Sequence, residues 1–421
     1  MLSRDRQFVW HPYTQHGLEP ELLAIISARG AWLTLQNGQK ILDAISSWWL
    51  NIHGHSHPDI IDAVYQQLTK LQHVIFAGCT HEPAIQLAEL LINAVQNGGS
   101  ALQYCFYSDN GSTAVETALK MAFKYHQNRG NHTRKKFLSL KNSFHGETLG
   151  CISLSDRDGY NKSFSELLFQ VDFIPTNNIN ILNHLIANQA EQYAAIIIEP
   201  LIQTNGMLIY DTNYLTQIAQ ICQQHHILVI CDEVFTGFYR TGTCFAFEQA
   251  KIKPDLLCLG KSLTGGYLPL AVTLSTTDIY NAFYTNNISN ALTHGHSYTA
   301  NPLACVAAIA SWQILQRPDT QASIKRIAQY TQYRLNQLAE HPLVSSPRSL
   351  GAIGAITLGN TASYFSQIGY VIRQLALQKN VLLRPLGNVI YTLPPYCVKD
   401  EELDHLFNTI EYLLNYLAEN K

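Results

Sequence analysis

Apolar residues recur along this chain in two alternating patterns, and each pattern predicts a different kind of element. Ala84, Ala88 and Leu91 repeat at helical spacing, whereas AAIIIEP (194–200) and ILVICDE (227–233) are continuous apolar runs typical of buried strands. Further strand-like runs are CFYSD (105–109), KKFLSLKNS (135–143), LLCLG (256–260) and LAVTLS (270–275). Because predicted strands alternate with predicted helices, we expect an α/β fold with a mostly parallel sheet sandwiched by helices.

Two of the predicted helices have recognisable bounds. One begins near Ser112, where Thr113 and Glu116 have the spacing of a capping box. Another covers residues 211–225, between two apolar runs. Both helices connect predicted strands, which is the arrangement that parallel strands require.

The pattern changes near residue 303, which indicates a second, smaller α+β domain. The strand-like segments AIGAITL (352–358) and VIYTL (389–393) lie among helical stretches at 303–316, 321–339, 363–379 and 401–419. The N-terminal segment AWLTLQNGQKILDA predicts a hairpin with its turn at Asn37 and Gly38. We expect a large domain over residues 54–308 and a small domain built from residues 1–53 and 309–421.

Composition narrows the class of protein. Only 14% of the 421 residues are charged, and 22 are tyrosines. A surface with few charges and many tyrosines is typical of a protein that buries part of it in an oligomer interface. The net charge of −3 gives no electrostatic footprint for nucleic acid. Nine cysteines without a CxxC motif favour a reducing cytoplasm, and we expect neither a signal peptide nor a membrane span.

The segment DLLCLGKSLTGG (255–266) places a lysine directly after a predicted strand. Gly260, Lys261 and Ser262 resemble the end of a nucleotide-binding P-loop. That loop requires an earlier glycine at the position occupied by Asp255, so the spacing excludes it. The lysine therefore requires another explanation.

Three predicted strand ends carry chemistry that is complementary. Asn110, Gly111 and Ser112 follow one strand and begin a helix, where backbone N–H groups and a hydroxyl can bind a phosphate. Asp232 ends a second strand, and Lys261 follows a third. Taken singly, Ser112 would be a helix cap, Asp232 a salt-bridge or turn residue, and Lys261 a loop lysine. Together they match pyridoxal 5′-phosphate, which needs a lysine for covalent attachment and a carboxylate at the pyridine nitrogen.

Longer motifs around these residues make the resemblance specific. They are SDNGSTAVETALKMA, NSFHGETLG, IIIEPLIQ, ICDEVFTGFYRTGTCFAFE, PDLLCLGKSLTGGYLPLAVTL and HGHSYTANPLACVAA. The chain resembles the class III aminotransferases, which are pyridoxal-phosphate enzymes of fold type I. The resemblance implies that Lys261 and Asp232 are catalytic and that the cofactor site also includes Gly111, Ser112, Phe144 on the ring face and Ser297. Ser297 would reach the phosphate of a neighbouring subunit, which implies a homodimer with shared sites, and Glu199 and Gln203 would lie near the ring.

The terminal motifs WHPYTQ, DAISSWWLNIHGHSHP and LLRPLGNVIYTLPPY resemble one branch of that family, the 7,8-diaminopelargonate synthases of biotin biosynthesis. These enzymes transfer an amino group from S-adenosylmethionine to 8-amino-7-oxononanoate. The resemblance implies a substrate site of Tyr13, Trp48, Trp49, Arg240, Gly295, Arg384 and Tyr391. Trp48 and Trp49 would wall the substrate chain, and Arg384 would bind its carboxylate. On the residues alone, the tryptophan pair is more typical of a core or an interface than of a substrate site.

Some positions depart from the family pattern, and some alternatives stay open. Phe144 replaces the tyrosine usual in the synthases, so the ring face is kept and the hydroxyl is lost. Ser297 replaces threonine, and Ala300 replaces glycine. The amino donor is S-adenosylmethionine or lysine, and another class III enzyme acting on ω-amino acids is the remaining alternative. We predict no metal site and interpret the histidines of HGHSHP (53–58) as polar loop residues near the active-site mouth.

Overall fold

Seven strands of the computed structural model form one sheet, and the model describes residues 1–18, 22–155, 160–359 and 368–420. Their order across the sheet is β4 (Leu102–Ser108), β12 (Ala271–Thr276), β11 (Leu256–Leu259), β10 (Leu228–Asp232), β7 (Tyr193–Ile198), β5 (Lys136–Leu140) and β6 (Val171–Ile174). Strand β12 is antiparallel to both of its neighbours, and the other pairs are parallel. The predicted α/β fold with a mostly parallel sheet is therefore confirmed.

Helices flank this sheet and account for most of the helical patterns in the sequence. The α-helices of five or more residues in the described part of the chain are Leu2–Phe8, Pro58–Leu68, Glu82–Asn97, Gly111–Asn128, Leu149–Ser153, Ile179–Gln189, Thr212–Gln224, Ala246–Ala250, Thr277–Phe283, Pro302–Leu315, Pro318–Leu338, Ile368–Gln378 and Asp400–Glu419. The start of the predicted helix over 363–379 lies outside the described residues. In the described part of the chain, no helix is both long and apolar enough to span a membrane.

The predicted capping box at the start of helix Gly111–Asn128 is wrong. Asn110 is the N-cap, and its side chain pairs with Thr113 in a reciprocal capping box. Glu116 instead accepts hydrogen bonds from Thr148 Oγ1 at 2.6 Å and from the backbone N–H of Gly150 at 2.8 Å. The capping pair therefore lies three residues earlier than predicted, whereas the helix begins at Gly111, next to the predicted start near Ser112.

Strands from both ends of the chain meet in smaller sheets. One sheet has the order β1 (Ile25–Arg29), β2 (Trp32–Leu35), β3 (Lys40–Asp43) and β15 (Val381–Leu382), and another has β13 (Val344–Leu350), β14 (Ile353–Leu358) and β16 (Val389–Thr392). A two-stranded sheet joins β8 (Ile202–Gln203) and β9 (Leu208–Ile209). Strands β2 and β3 form the predicted hairpin, and Gly38 in its turn has a φ of +85°. The domain bounds proposed from the sequence remain a prediction.

The register of the large sheet brings the predicted chemistry to one edge. Asp232 at the end of β10 pairs with Cys258 of β11, three residues before Lys261. A side chain on Gly260 would lie only 3.5 Å from the backbone of Gly111, so the lysine loop and the helix start approach closely. Ligands of open parallel sheets bind beyond such carboxyl ends.

Candidate active site

A cavity of about 940 Å³ lies at this edge of the large sheet. Its volume falls in the range of roughly 300–1,000 Å³ that is usual for ligand pockets. Ten residues singled out in the sequence line it, namely Tyr13, Trp48, Trp49, Asn110, Gly111, Ser112, Phe144, Glu199, Asp232 and Lys261. The structure therefore brings the predicted phosphate, acid, lysine and aromatic groups into one pocket.

Lys261 begins the short 3₁₀ turn Lys261–Thr264 that follows β11, with a φ of +41°. Its Nζ lies 4.5 Å from the ring centroid of Trp49 and 5.6 Å from that of Phe235. Burial lowers the pKa of Lys261 to about 8, although Asp232 and Glu199 act in the opposite direction. Much more of this amine is therefore neutral near physiological pH than is usual for lysine, which is the form a nucleophile or base requires.

Asp232 is buried, and each oxygen of its carboxylate has a hydrogen-bond partner. Oδ1 accepts a hydrogen bond from the backbone N–H of Val234 at 3.1 Å, and Oδ2 lies 2.8 Å from Nδ1 of His145. A buried carboxylate is costly without a partner, and the side-chain partner of Asp232 is a histidine. His145 is itself buried, and its Nε2 has no hydrogen-bond partner among the described residues. It was not singled out from the sequence, because nothing in the spacing links it to Asp232.

The start of helix Gly111–Asn128 forms a tight cradle. A side chain on Gly111 would come 2.5 Å from Cγ1 of Val234, so only glycine fits there. Gly146 has a φ of +124°, and a Cβ on it would overlap Ser112 Oγ. Ser112 Oγ accepts a hydrogen bond from the backbone N–H of Glu147 at 3.1 Å. The free N–H groups of a helix start and this hydroxyl are suited to a phosphate.

Phe144 and Glu199 lie on the cavity wall and contact each other. The backbone N–H of Phe144 donates to Glu199 Oε2 at 3.1 Å. Glu199 Oε1 accepts from the backbone N–H of Thr204 at 3.0 Å and from its Oγ1 at 2.6 Å. Burial raises the pKa of Glu199. The side chain of Gln203 lies outside the described part of the chain.

The two adjacent tryptophans occupy different layers of the wall. Trp49 is buried, and its ring makes edge contacts with Phe235 at 4.6 Å and with Tyr391 at 6.0 Å between centroids. Its Nε1 has no hydrogen-bond partner within the described residues. Tyr391 lies behind Trp49 and is not among the described lining residues. Trp49 therefore separates Tyr391 from the cavity.

Trp48 belongs to a second cluster with Tyr13 and Arg384. The guanidinium carbon of Arg384 lies 4.1 Å from the ring centroid of Trp48 and 5.8 Å from that of Tyr13. The two rings meet edge-on at 5.3 Å, and the Tyr13 hydroxyl donates to Glu147. Arg384 is absent from the described lining of the cavity, whereas Trp48 and Tyr13 are part of it. A cation held on these aromatic faces is suited to a carboxylate at the end of an apolar chain.

Arg240 is fully buried behind the tryptophans. Its Nη2 donates to the backbone carbonyl of Trp49 at 3.2 Å, and its Nη1 donates to that of Pro394 at 3.4 Å. Its guanidinium also lies 5.2 Å from the ring centroid of Tyr396. Arg240 thus contacts the backbone of the wall and is absent from the described lining of the cavity.

Gly295 and Ser297 lie on an exposed loop and are absent from the described lining of the cavity. His73 Nε2 lies 2.5 Å from the backbone carbonyl of Ser297. Ala300, at the position where the family usually has glycine, has a φ of +55° and accepts at its carbonyl from His81 Nε2 at 2.8 Å. The backbone there does adopt the left-handed conformation that favours glycine.

The three histidines of HGHSHP have separate partners. His53 is buried beside Ser311 Oγ at 2.9 Å, so its interpretation as a polar loop residue is wrong. His55 Nε2 lies 2.8 Å from Asp43 Oδ2, and His57 caps the helix that begins at Pro58. Among the described residues, no group of three or more His, Cys, Asp or Glu side chains is placed to hold a metal ion.

Comparison with known proteins agrees with this geometry. Residues 13–414 match the class III aminotransferase family. The chain is 43% identical to the adenosylmethionine-8-amino-7-oxononanoate aminotransferase of Synechococcus elongatus, over 97% of this chain and 98% of that protein. The enzyme of the same name from Helicobacter pylori is 39% identical over 96% and 95% of the two chains.

Solved structures give the same result. The crystal structure of adenosylmethionine-8-amino-7-oxononanoate aminotransferase from Methanocaldococcus jannaschii has a TM-score of 0.93 and 35% identity, covering 98% of both chains. A pyridoxal-phosphate-bound amine transaminase from an uncultivated Pseudomonas species has a TM-score of 0.91 and 29% identity, covering 97% and 98% of the two chains. The chain therefore belongs to the class III aminotransferases.

Proposed function

We propose that this enzyme transfers an amino group from S-adenosylmethionine to 8-amino-7-oxononanoate, giving 7,8-diaminononanoate for biotin biosynthesis, with pyridoxal 5′-phosphate as cofactor. The observation that carries this assignment is the stacking of Arg384 on Trp48 and Tyr13, two residues that line the cavity together with Lys261. A guanidinium would bind the carboxylate of a small ω-amino acid as well, but the aromatic wall of Trp48 and Tyr13 favours a longer apolar chain. The full-length similarity to enzymes of that name supports the same choice.

The residues at the centre of the cavity fit the cofactor. The helix start at Gly111 and Ser112 would hold its phosphate, Phe144 would lie on its ring, and Asp232 would keep its ring nitrogen protonated. Pyridoxal phosphate, when bound, withdraws electrons from the carbon that carries the amino group. The His145–Asp232 hydrogen bond would orient the carboxylate for this task.

Lys261 would attach the cofactor and move the proton. Its lowered pKa of about 8 gives the neutral amine that would take a proton from the donor's α-carbon and deliver it to the cofactor's aldehyde carbon. In the second half-reaction the amine would carry a proton the opposite way, from the cofactor's carbon to the acceptor carbon. The rings of Trp49 and Phe235 lie 4.5 Å and 5.6 Å from Nζ and make its surroundings apolar on that side. The same amine thus serves as base and as acid in one pocket, which implies that the two substrates enter in turn.

The acceptor is a long chain with a terminal carboxylate, and the cluster of Tyr13, Trp48 and Arg384 matches it. Trp48 would pack against the chain, and Arg384 would pair with the carboxylate. Phe144 lacks the hydroxyl usual in these enzymes, and the Tyr13 hydroxyl, which donates to Glu147, is another phenol of the cavity lining. S-adenosylmethionine is the donor we favour over lysine because the full-length relatives are named for it.

We also propose that the enzyme is a homodimer whose sites are shared. Ser297 lies on an exposed loop outside its own cavity, which supports a role at the cofactor phosphate of the partner subunit. The cytoplasmic location expected from the sequence remains a prediction.

The donor is identified by half-reaction spectroscopy. The holoenzyme is mixed separately with S-adenosylmethionine, lysine and 4-aminobutyrate, and absorbance follows conversion of bound pyridoxal phosphate to pyridoxamine phosphate. Conversion by S-adenosylmethionine alone, reversed by 8-amino-7-oxononanoate, is expected. Conversion by lysine alone would identify lysine as the donor, and conversion by 4-aminobutyrate alone would reject the proposed function.

Sharing of sites is tested by mixing two inactive variants. Lys261→Ala removes the reactive amine, and Ser297→Asp places a negative charge against the partner's phosphate. A mixed dimer of these two chains has one site with both native residues, so co-expression is expected to restore activity. If the mixture stays as inactive as its parents, Ser297 does not act across subunits.

A further inference from the structure

The tryptophan pair lies on a strained stretch of backbone. Ser46, Ser47, Trp48 and Trp49 are consecutive, none is glycine, and their φ values are +49°, +46°, +66° and +78°. Left-handed backbone is unfavourable for such residues, and it normally occurs at single positions. Four in a row form a left-handed turn, which persists only where surrounding contacts hold it.

The carboxylate of Asp43 holds the first half of this left-handed turn. Its Oδ1 accepts from the backbone N–H of Ser47 at 2.9 Å and of Ile45 at 3.4 Å, and its Oδ2 accepts from Ser47 Oγ at 2.7 Å. His55 Nε2 lies 2.8 Å from the same Oδ2. Asp43 is completely buried, and a buried carboxylate is costly unless donors surround it.

The second half of the left-handed turn is anchored from the other side. The backbone carbonyl of Trp49 accepts from Arg240 Nη2 at 3.2 Å and from Ser262 Oγ at 3.3 Å, and Ser262 directly follows Lys261. Ser46 Oγ donates to the carbonyl of Leu393 at 2.7 Å. Contacts at both ends therefore fix the direction in which Trp48 and Trp49 point.

We propose that Asp43 is a positioning residue for the substrate site, which acts by holding Trp48 and Trp49 against the cavity. Asp43 does not itself line the described cavity, so its effect on substrate passes through the left-handed turn. The inference rests on the proposed function for the identity of the substrate. Without Asp43 the turn relaxes, Trp48 leaves the guanidinium of Arg384, and the carboxylate of the acceptor loses its binding partner.

The main test compares Asp43→Ala with Asp43→Asn. Alanine removes every acceptor, and we expect the KM for 8-amino-7-oxononanoate to rise about tenfold while kcat changes less. Asparagine fills the same volume and keeps Oδ1 for the Ser47 N–H, while Ser47 Oγ and a neutral His55 can accept from its amide. We therefore expect Asp43→Asn to retain most of the affinity.

A matched control separates positioning from general loss of stability. Asp255 also lies at a strand end, and it accepts from the backbone N–H of Val229 at 2.8 Å without contacting the left-handed turn. We expect Asp255→Ala to lower the melting temperature without raising the KM. Tryptophan fluorescence titrated with 8-amino-7-oxononanoate gives the Kd without turnover, and pyridoxamine phosphate binding checks that the cofactor site is intact.

A second pair of variants avoids the risk that Asp43→Ala does not fold. Ser47→Ala and Ser47→Gly remove the same hydroxyl, but only glycine adopts a positive φ without strain. If the strained turn sets affinity, Ser47→Ala raises the KM for the acceptor more than Ser47→Gly does. Equal effects of the two variants, or an Asp43→Ala enzyme with native Kd, would overturn the proposal.

Failure of the proposed function gives a different result from failure of the proposed role of Asp43. A wild-type enzyme that does not use 8-amino-7-oxononanoate rejects that function, and the KM of Asp43→Ala is then measured with the amine that the wild type does use. The near-ultraviolet circular dichroism of the tryptophans is recorded in parallel. A native spectrum and a native KM for that amine would reject the role of Asp43.

Discussion

The cradle beside Ser112 gives the sharpest test of the cofactor site, through Gly146→Ala. A Cβ on Gly146 would lie 2.8 Å from Ser112 Cβ and 3.0 Å from Ser112 Cα, in addition to overlapping its hydroxyl. The hydroxyl can rotate away, but Cα and Cβ move only with the first turn of the helix. The methyl group therefore displaces the residue that we expect to bind the phosphate.

Two costs add in this variant. The φ of +124° is strained for any residue with a Cβ, at about 1–2 kcal/mol. Overpacking in a closely packed site costs about 1–3 kcal/mol more. Moving Ser112 relieves the overpacking, so that part appears as weaker phosphate binding and corresponds to a loss of about 5-fold to 150-fold in affinity.

The assay is titration of the apoenzyme with pyridoxamine phosphate, which has no aldehyde and cannot bond to Lys261. Gly130→Ala is the control, because Gly130 has a φ of +76° and a Cβ on it would meet nothing within 4 Å. We expect the control to lose stability with no loss of affinity. A folded Gly146→Ala enzyme that binds pyridoxamine phosphate like the control would refute this reasoning.

Three further predictions concern Lys261 and Arg384. Lys261→Ala is expected to lower kcat at least about a thousandfold by steady-state assay, because the base and the attachment point are lost together. Burial lowers the pKa of Lys261 from 10.5 to about 8. The rate at which the apoenzyme captures pyridoxal phosphate, followed by stopped-flow absorbance, should therefore rise with pH and level off above about pH 8. A rate that keeps rising to pH 10 would contradict the lowered pKa. Arg384→Lys should raise the KM for 8-amino-7-oxononanoate about tenfold, since lysine neither stacks on Trp48 nor binds bidentately.

The large sheet was predictable because its information is local. Runs such as AAIIIEP and ILVICDE are apolar throughout, as strands buried on both faces must be, and the structure has them as β7 and β10. Once the strands are ordered, the positions of Asp232 and Lys261 at one edge follow from the geometry of parallel sheets. Fold and chemical centre were thus predictable together.

Features that depend on distant partners were not predictable. Asn110–Thr113 and Thr113–Glu116 both have capping-box spacing, and the contacts of Glu116 with Thr148 and Gly150 decide between them. His145 lies 87 residues before Asp232, and no pattern in either segment marks the pair. Sequence spacing describes neighbours on one element, whereas these contacts are set by how elements pack.

Backbone strain is the other limit, and it affects several residues that line the cavity. Tyr13, Trp48, Trp49 and Lys261 all line it, and each has a positive φ although none is glycine. Propensity rules assign these residues to ordinary backbone, because they describe what a residue prefers when nothing opposes it. Here the buried sheet and anchors such as Asp43 offset the cost, so local rules fail at the residues that we expect to meet the substrates.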